Sequence, residues 1–176
     1  MASKPAASRI LAIDLRSERF GFAVFEGRSR LIDWGVCLYG FSGASTAARN
    51  RLAPLLKQFR PSAIVVSIAR REKALGRDGV RRILSSIKRE ALANSTPTRV
   101  IAKSQVRTVF RSLHAKTKHE VAIAVAQLFP ELRWKLPPKR KLWQKEHYRI
   151  AIFQAVAVGY VYWQQLNDQP QKTEGE

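Results

Sequence analysis

The sequence predicts an α/β domain built on a mixed five-stranded sheet flanked by helices, and three features carry that prediction. Residues 9–14, 20–26 and 31–38 are short apolar or alternating runs separated by turn-length polar segments, the pattern of an antiparallel meander. A fourth run, Ala63-Ile64-Val65-Val66-Ser67-Ile68, is almost continuously apolar and rich in β-branched residues after a helical stretch, as in strands buried on both faces and paired in parallel. Residues 98–102 supply a fifth strand after another helix. Three antiparallel strands are thus followed by parallel ones.

The helices follow from spacing and stop signals. Residues 40–45 read as a loop with Ser45 as N-cap, and residues 46–59 carry apolar positions near helical spacing before Arg60-Pro61 ends them. Pro54 inside that stretch marks a kink or a later helix start. Residues 70–82 form a basic, Gly-interrupted stretch leading into a helix that runs to about Ala93. Ser104 caps a short helix to Leu113, and a further helix, 118–129, is stopped by Pro130. Residues 132–142 contain Pro137-Pro138 and five Lys or Arg, hence an extended basic connector. A long helix over 143–166 then closes the chain, apolar on most sides and so largely buried. Residues 9–166 are expected to form a single domain, with 1–8 as a disordered leader and 167–176 as a flexible tail.

A chain of 176 residues with 45% hydrophobic content is long enough to bury one substantial core. Thirty-two Lys and Arg against thirteen Asp and Glu give a formal charge of +19, which attracts phosphate backbones at long range. Nucleic acid is the first partner implied; a solubilising surface, an anionic membrane or ribosomal RNA would suit the same charge. The single cysteine, Cys37, excludes an internal disulfide and a Cys-rich zinc site, so a reducing, cytoplasmic setting is expected. No apolar run reaches bilayer-spanning length, and nothing repeats at a solenoid period.

Asp14 is the most telling residue. It ends the apolar run Ile10-Leu11-Ala12-Ile13, and an ionised group at the end of a central strand is costly unless a cation or hydrogen bonds meet it. One acidic spot in so basic a chain points to a metal-binding or metal-derived site facing a polyanion.

The opening Arg9-Ile10-Leu11-Ala12-Ile13-Asp14, the returning Gly21-Phe22-Ala23-Val24 and the order of elements resemble the ribonuclease-H-like superfamily. Within it the resemblance is to the RuvC-type Holliday-junction resolvases, over residues 10–163. It implies carboxylates on the first strand, the fourth strand and the final helix, converging on a pair of magnesium or manganese ions that activate water and stabilise the leaving oxygen. It also implies a DNA partner, a role in DNA recombination and a homodimer, because a four-way junction presents two equivalent strands. Asp14 matches the first-strand acid. The fourth-strand acid should fall at Ser67, which is a hydroxyl, with Glu72 two arginines beyond. The final-helix acid should fall at Gln154, a neutral amide.

Glu146 and His147 remain upstream, and a spacing of seven would place His147 on the helix face of Gln154. The catalytic candidates are therefore Asp14, Glu146 and His147, and the metal candidates Asp14 and Glu146. Three readings stay open. One is a binding module for branched or structured DNA with a degenerate nuclease centre and no cofactor, Asp14 pairing with an arginine and Glu146 favouring the last helix's first turn. The second is an active Mg- or Mn-dependent junction endonuclease. The third is an RNA-associated structural or ribosome-assembly protein.

Two basic segments are candidates for nucleic-acid contact. Arg70, Arg71, Arg77, Arg81, Arg82, Lys88 and Arg89 follow the fourth strand, where they either meet phosphates or form a solvated helix face. Arg133, Trp134, Lys139, Arg140, Lys141 and Trp143 interleave aromatics with cations, which suits stacking on unpaired bases alongside phosphate neutralisation. In the alternative, the two tryptophans anchor the connector to the core. Lys116, Lys118 and His119 extend that patch or simply open a helix, whose N-terminus Glu120 favours.

Overall fold

The computed structural model describes residues 8–40, 42–68 and 76–168. Its sheet has the order β3-β2-β1-β4-β5, with β1 (Arg9–Leu15) central, β2 (Arg19–Glu26) and β3 (Arg30–Leu38) antiparallel on one side, and β4 (Ala63–Ile68) and β5 (Thr98–Val100) parallel on the other. This is the mixed sheet that the apolar runs predict. Gly27 closes the β2–β3 turn with φ +69°, a left-handed conformation that glycine adopts without steric cost.

Period-two alternation sorts the strand side chains between two cores. Leu11, Ile13, Phe22, Val24, Ile64 and Val66 face α1 (Ala44–Phe59) and α2 (Gly76–Ala93), whereas Ile10, Ala12, Ala23, Phe25, Ala63 and Val65 face α3 (Lys103–Ser112), α4 (Lys118–Leu128) and α5 (Ile150–Asp168). Helices on both faces explain why β1 and β4 read as unbroken apolar runs.

The last helix is buried almost all round because its small residues let it press on the sheet. A Cβ on Gly21 would stand 2.0 Å from the Ala151 carbonyl oxygen, and one on Gly159 would stand 2.2 Å from the Phe25 ring. Both glycines are thus there for close approach, and Gly21 fixes where α5 begins over β2.

Several element boundaries differ from expectation. Ser45 lies inside α1, which starts at Ala44 after a left-handed Gly43, and Pro54 sits within the helix without ending it. Ser104 is likewise internal to α3; Gln105 Oε1 meets the backbone N–H of Ala102 at 2.8 Å and closes that end instead. The connector is not extended from its start: a 3-10 helix, Pro130–Lys135, takes in its first four residues. The largest correction is at α5, which begins at Ile150, not at residue 143, leaving Glu146 and His147 on the loop before it. Residues 143–149 carry Lys145 and Arg149, which oppose the positive end of a helix, and Trp143 and Tyr148 are both exposed rather than packed in the core. The seven-residue helix spacing from His147 to Gln154 therefore does not apply.

Among the described residues no helix is long and apolar enough to cross a membrane. Burial pushes the Cys37 thiol up to about 11, against a smaller opposing pull from Arg51, so it is a poor nucleophile. Residues 1–7 of the expected leader and 169–176 of the expected tail lie outside the described residues, whereas the Ser8 carbonyl accepts from the Gly27 N–H at 2.9 Å and α5 continues through Asp168.

Candidate nucleic-acid interface

The site forms at the C-terminal edge of the parallel strands. Asp14 stands in register with Gly21 of β2 on one side and with Ser67 of β4 on the other, and it shares the α5 face with Ala12 and Ile10. Because Ala151 rests on Gly21, the start of α5 lies beside the Asp14 carboxylate. The acid that ends the first strand and the entry to the final helix are thus brought together.

Two cations meet that carboxylate. Arg16 Nε donates to Asp14 Oδ2 at 2.9 Å, and Lys103 Nζ donates to Oδ1 from the first turn of α3. The Asp14 side chain is wholly buried, while those of Arg16 and Lys103 are 10% and 16% exposed. Burial alone would raise the Asp14 pKa, but Lys103 and Arg16 outweigh it and hold the carboxyl below its ordinary value. Lys103 is itself pushed down, first by burial and then by Arg16 and Lys118, against the pull of Asp14.

Arg16 extends the network outward. Its Nη1 lies 3.5 Å from Glu146 Oε1, Arg19 Nη2 lies 4.0 Å from the same oxygen, and Lys118 Nζ donates to Oε2. Arg19 Nη1 also donates to Glu18 Oε1 at 2.9 Å, so four cations share three carboxylates and the centre keeps a net positive charge. Arg16, Arg19 and Lys103 are functional candidates that the sequence reading did not single out. One signal was there: residues following parallel strands gather at one edge of an open α/β sheet, and both Arg16 and Lys103 do so.

Neither Ser67 Oγ nor Gln154 Nε2, both buried, has a hydrogen-bond partner among the described residues. The donor set does not fit the pair of divalent cations implied by resemblance to the resolvases. Both Asp14 oxygens are engaged by basic side chains, Arg16 stands between Asp14 and Glu146, and positions 67 and 154 offer neutral groups. Among the described residues no cluster of three or more His, Cys, Asp or Glu could hold a metal ion.

The connector patch adjoins this centre. A cleft of about 320 Å³ is walled by Lys118 and His119 of α4, by Pro137 to Arg140, and by Glu146 and His147. His147 stacks on Tyr148 at 4.8 Å, and its Nδ1 accepts from the Arg149 N–H at 3.2 Å. Trp134 is 69% exposed under Lys135 Nζ at 4.0 Å, and Trp143 is 79% exposed with Lys141 Nζ 5.4 Å from its ring centroid. These tryptophans do not anchor the connector to the core. Arg133, Lys139, Arg140 and Lys141 are all exposed beside them.

The other basic segment sits apart. Arg81, Arg82 and Lys88 are exposed on α2, which packs on the sheet face opposite to that of Asp14, and Arg81 lies 3.9 Å from Asp78. Arg70, Arg71 and Glu72 lie outside the described residues, as does the Arg77 side chain. A larger cavity of about 580 Å³, bounded by Arg60, Pro61 and Asn94, opens at the opposite end of β4 from Ser67 and contains no group of the ionic centre.

No family model and no curated protein matches this sequence. Solved structures do match its fold. Thermus thermophilus RuvC in complex with a Holliday junction substrate aligns with TM-score 0.66 at 18% identity, covering 90% of this chain and 96% of the other. A second structure of Thermus thermophilus RuvC gives 0.65 at 19%, with the same coverage. The yeast mitochondrial Holliday junction resolvase Ydc2 gives 0.54 at 16%, covering 93% of this chain and 83% of the other. The chain has the RuvC-type, ribonuclease-H-like fold.

Proposed function

We propose that this protein recognises branched or structured DNA and holds it without cutting it. One observation carries the reading: the Asp14 carboxylate, at the position where resolvases resemble one another in holding metal, is neutralised by Lys103 and Arg16. Side-chain cations stand in for metal charge. A phosphate backbone brought to this edge meets Lys103, Arg16, Arg19 and Lys118 with three carboxylates, Asp14, Glu18 and Glu146, among them. Such a centre attracts a phosphodiester but supplies no metal-activated water to attack it. The formal charge of +19 gives the long-range attraction, and the connector patch adds stacking surfaces. The structural neighbours point to the substrate shape, since they are junction resolvases and one is bound to a Holliday junction substrate. A homodimer matches the two equivalent strands of such a junction.

The test is a gel-shift and cleavage assay on a synthetic four-way junction, with manganese, with magnesium and with chelator. Tight binding indifferent to chelator, with every strand intact, is the expected result. Manganese-dependent cleavage that disappears in Asp14→Asn would overturn the proposal in favour of an active endonuclease. Stronger binding to folded RNA than to junction DNA would move the protein to an RNA-associated role.

A further inference from the structure

We infer that the cleft beside Glu146 seats one unstacked nucleotide of a DNA strand, and that Leu142 is the wedge that frees it; this rests on the DNA-binding reading above. The cleft's volume, about 320 Å³, lies at the small end of ligand pockets and suits one nucleotide. Its lining matches the two halves of that ligand. Buried Pro137 and Ile150 give apolar surface for a base, and the imidazoles of His119 and His147 offer flat stacking partners. Lys118, Lys139 and Arg140 at the same cleft supply positive charge for the attached phosphate.

The wedge is a separate observation. Leu142 is 97% exposed on the connector, which is unusual for a large apolar side chain held in an ordered turn. That turn is closed by Arg140 Nη1 donating to the Gln144 carbonyl at 3.0 Å and by the Lys141 N–H donating to Gln144 Oε1 at 2.9 Å. Leu142 also lines the cleft, so a side chain suited to entering between base steps stands at the edge of a space able to receive the displaced base. Glu146, held by Arg16 and Lys118, ties the same loop to the ionic centre. A strand whose phosphate rests at Lys103 would thus reach the cleft a short step further along.

Unpairing a base takes free energy that an already unpaired nucleotide has no need of. The experiment compares affinity for a fully paired four-way junction with affinity for junctions carrying one unpaired thymidine, moved stepwise away from the branch. At one position the protein is expected to prefer the unpaired nucleotide by about ten-fold or more. In the His119→Ala/Leu142→Ser variant, with its melting temperature confirming the fold, that ratio is expected to fall to near one. Tight binding to every junction with no preferred position would overturn the cleft while leaving DNA recognition intact. A preference that survives in the variant would also overturn it, since junction flexibility would then be the cause. Failure to bind any of these DNAs at physiological salt would instead overturn the DNA-binding reading itself.

Discussion

Lys103 holds the carboxylate of Asp14 across a sequence separation of 89 residues, joining the first turn of α3 to the end of β1. The pair lies where the sheet edge, α3 and the start of α5 meet, so its charge balance governs both the stability of that corner and what it can bind.

Removing the acid should be more harmful than removing the whole pair. Asp14→Asn leaves Lys103 and Arg16 partly desolvated without their main counter-charge, and should cost about 3–5 kcal/mol in denaturant unfolding. The double variant Asp14→Asn/Lys103→Met should recover part of that loss. A double-mutant cycle with no coupling would show that the two side chains do not stabilise one another in solution.

Acid should weaken the protein through the same group. Asp14 is held below its ordinary value, so between its folded pKa and the unfolded one, about 3.9, the unfolded chain binds more protons. Its contribution is fully present above that unfolded value and is lost as pH falls through the folded value. Arg16 from the β1–β2 loop and Lys103 from α3 are the charges facing it, with Lys118 of α4 near Lys103. Glu26 and Glu120 are lowered too, by Arg9 and by the α4 N-terminal backbone. Comparing melting temperature from pH 6 to pH 2 in the wild type and Asp14→Asn isolates the share of Asp14; the variant should show the shallower decline.

Metal binding should return only when charge and ligands change together. In Ser67→Glu/Gln154→Asp/Lys103→Ala, carboxylates surround Asp14 and one of its cations is gone. Manganese should then raise the melting temperature, with a stabilisation of about 2.7 kcal/mol at one hundred times the dissociation constant. The unsubstituted protein should show no such shift at matched ionic strength.

Gly21→Ala tests the placement of α5. The added methyl would collide with the Ala151 backbone at 2.0 Å, so the helix start must move, at about 1–3 kcal/mol or more by thermal unfolding. Junction affinity should fall as well, because the loop carrying Glu146 leads directly into that helix.

The strands of this fold are legible because burial on two faces leaves a mark in consecutive residues: the apolar run alone delimits β4 at Ala63 and Ile68. Asp14 was legible as the exception in such a run. Its partners were harder to read. An arginine two positions on could be foreseen in kind, but Lys103 becomes its neighbour only through the parallel pairing of β1, β4 and β5, which local sequence does not display. The start of α5 is hard to read because residues 143–149 continue directly into an apolar segment, whereas their own charge and lack of burial oppose a helix. At the start of α3, Ser104 is of the residue type that most often caps a helix, yet it is Gln105 that reaches back from the first turn.

The Lys103 contact with Asp14 also constrains how this chain can change over generations. An acid gained at position 67 alone would meet an arrangement already balanced by ammonium and guanidinium groups, and a cation lost at position 103 alone would strand Asp14 with Arg16. Each single replacement of this kind is opposed by the residues it leaves in place. If the proposed binding role holds, catalysis is reachable from this chain only by several replacements at once.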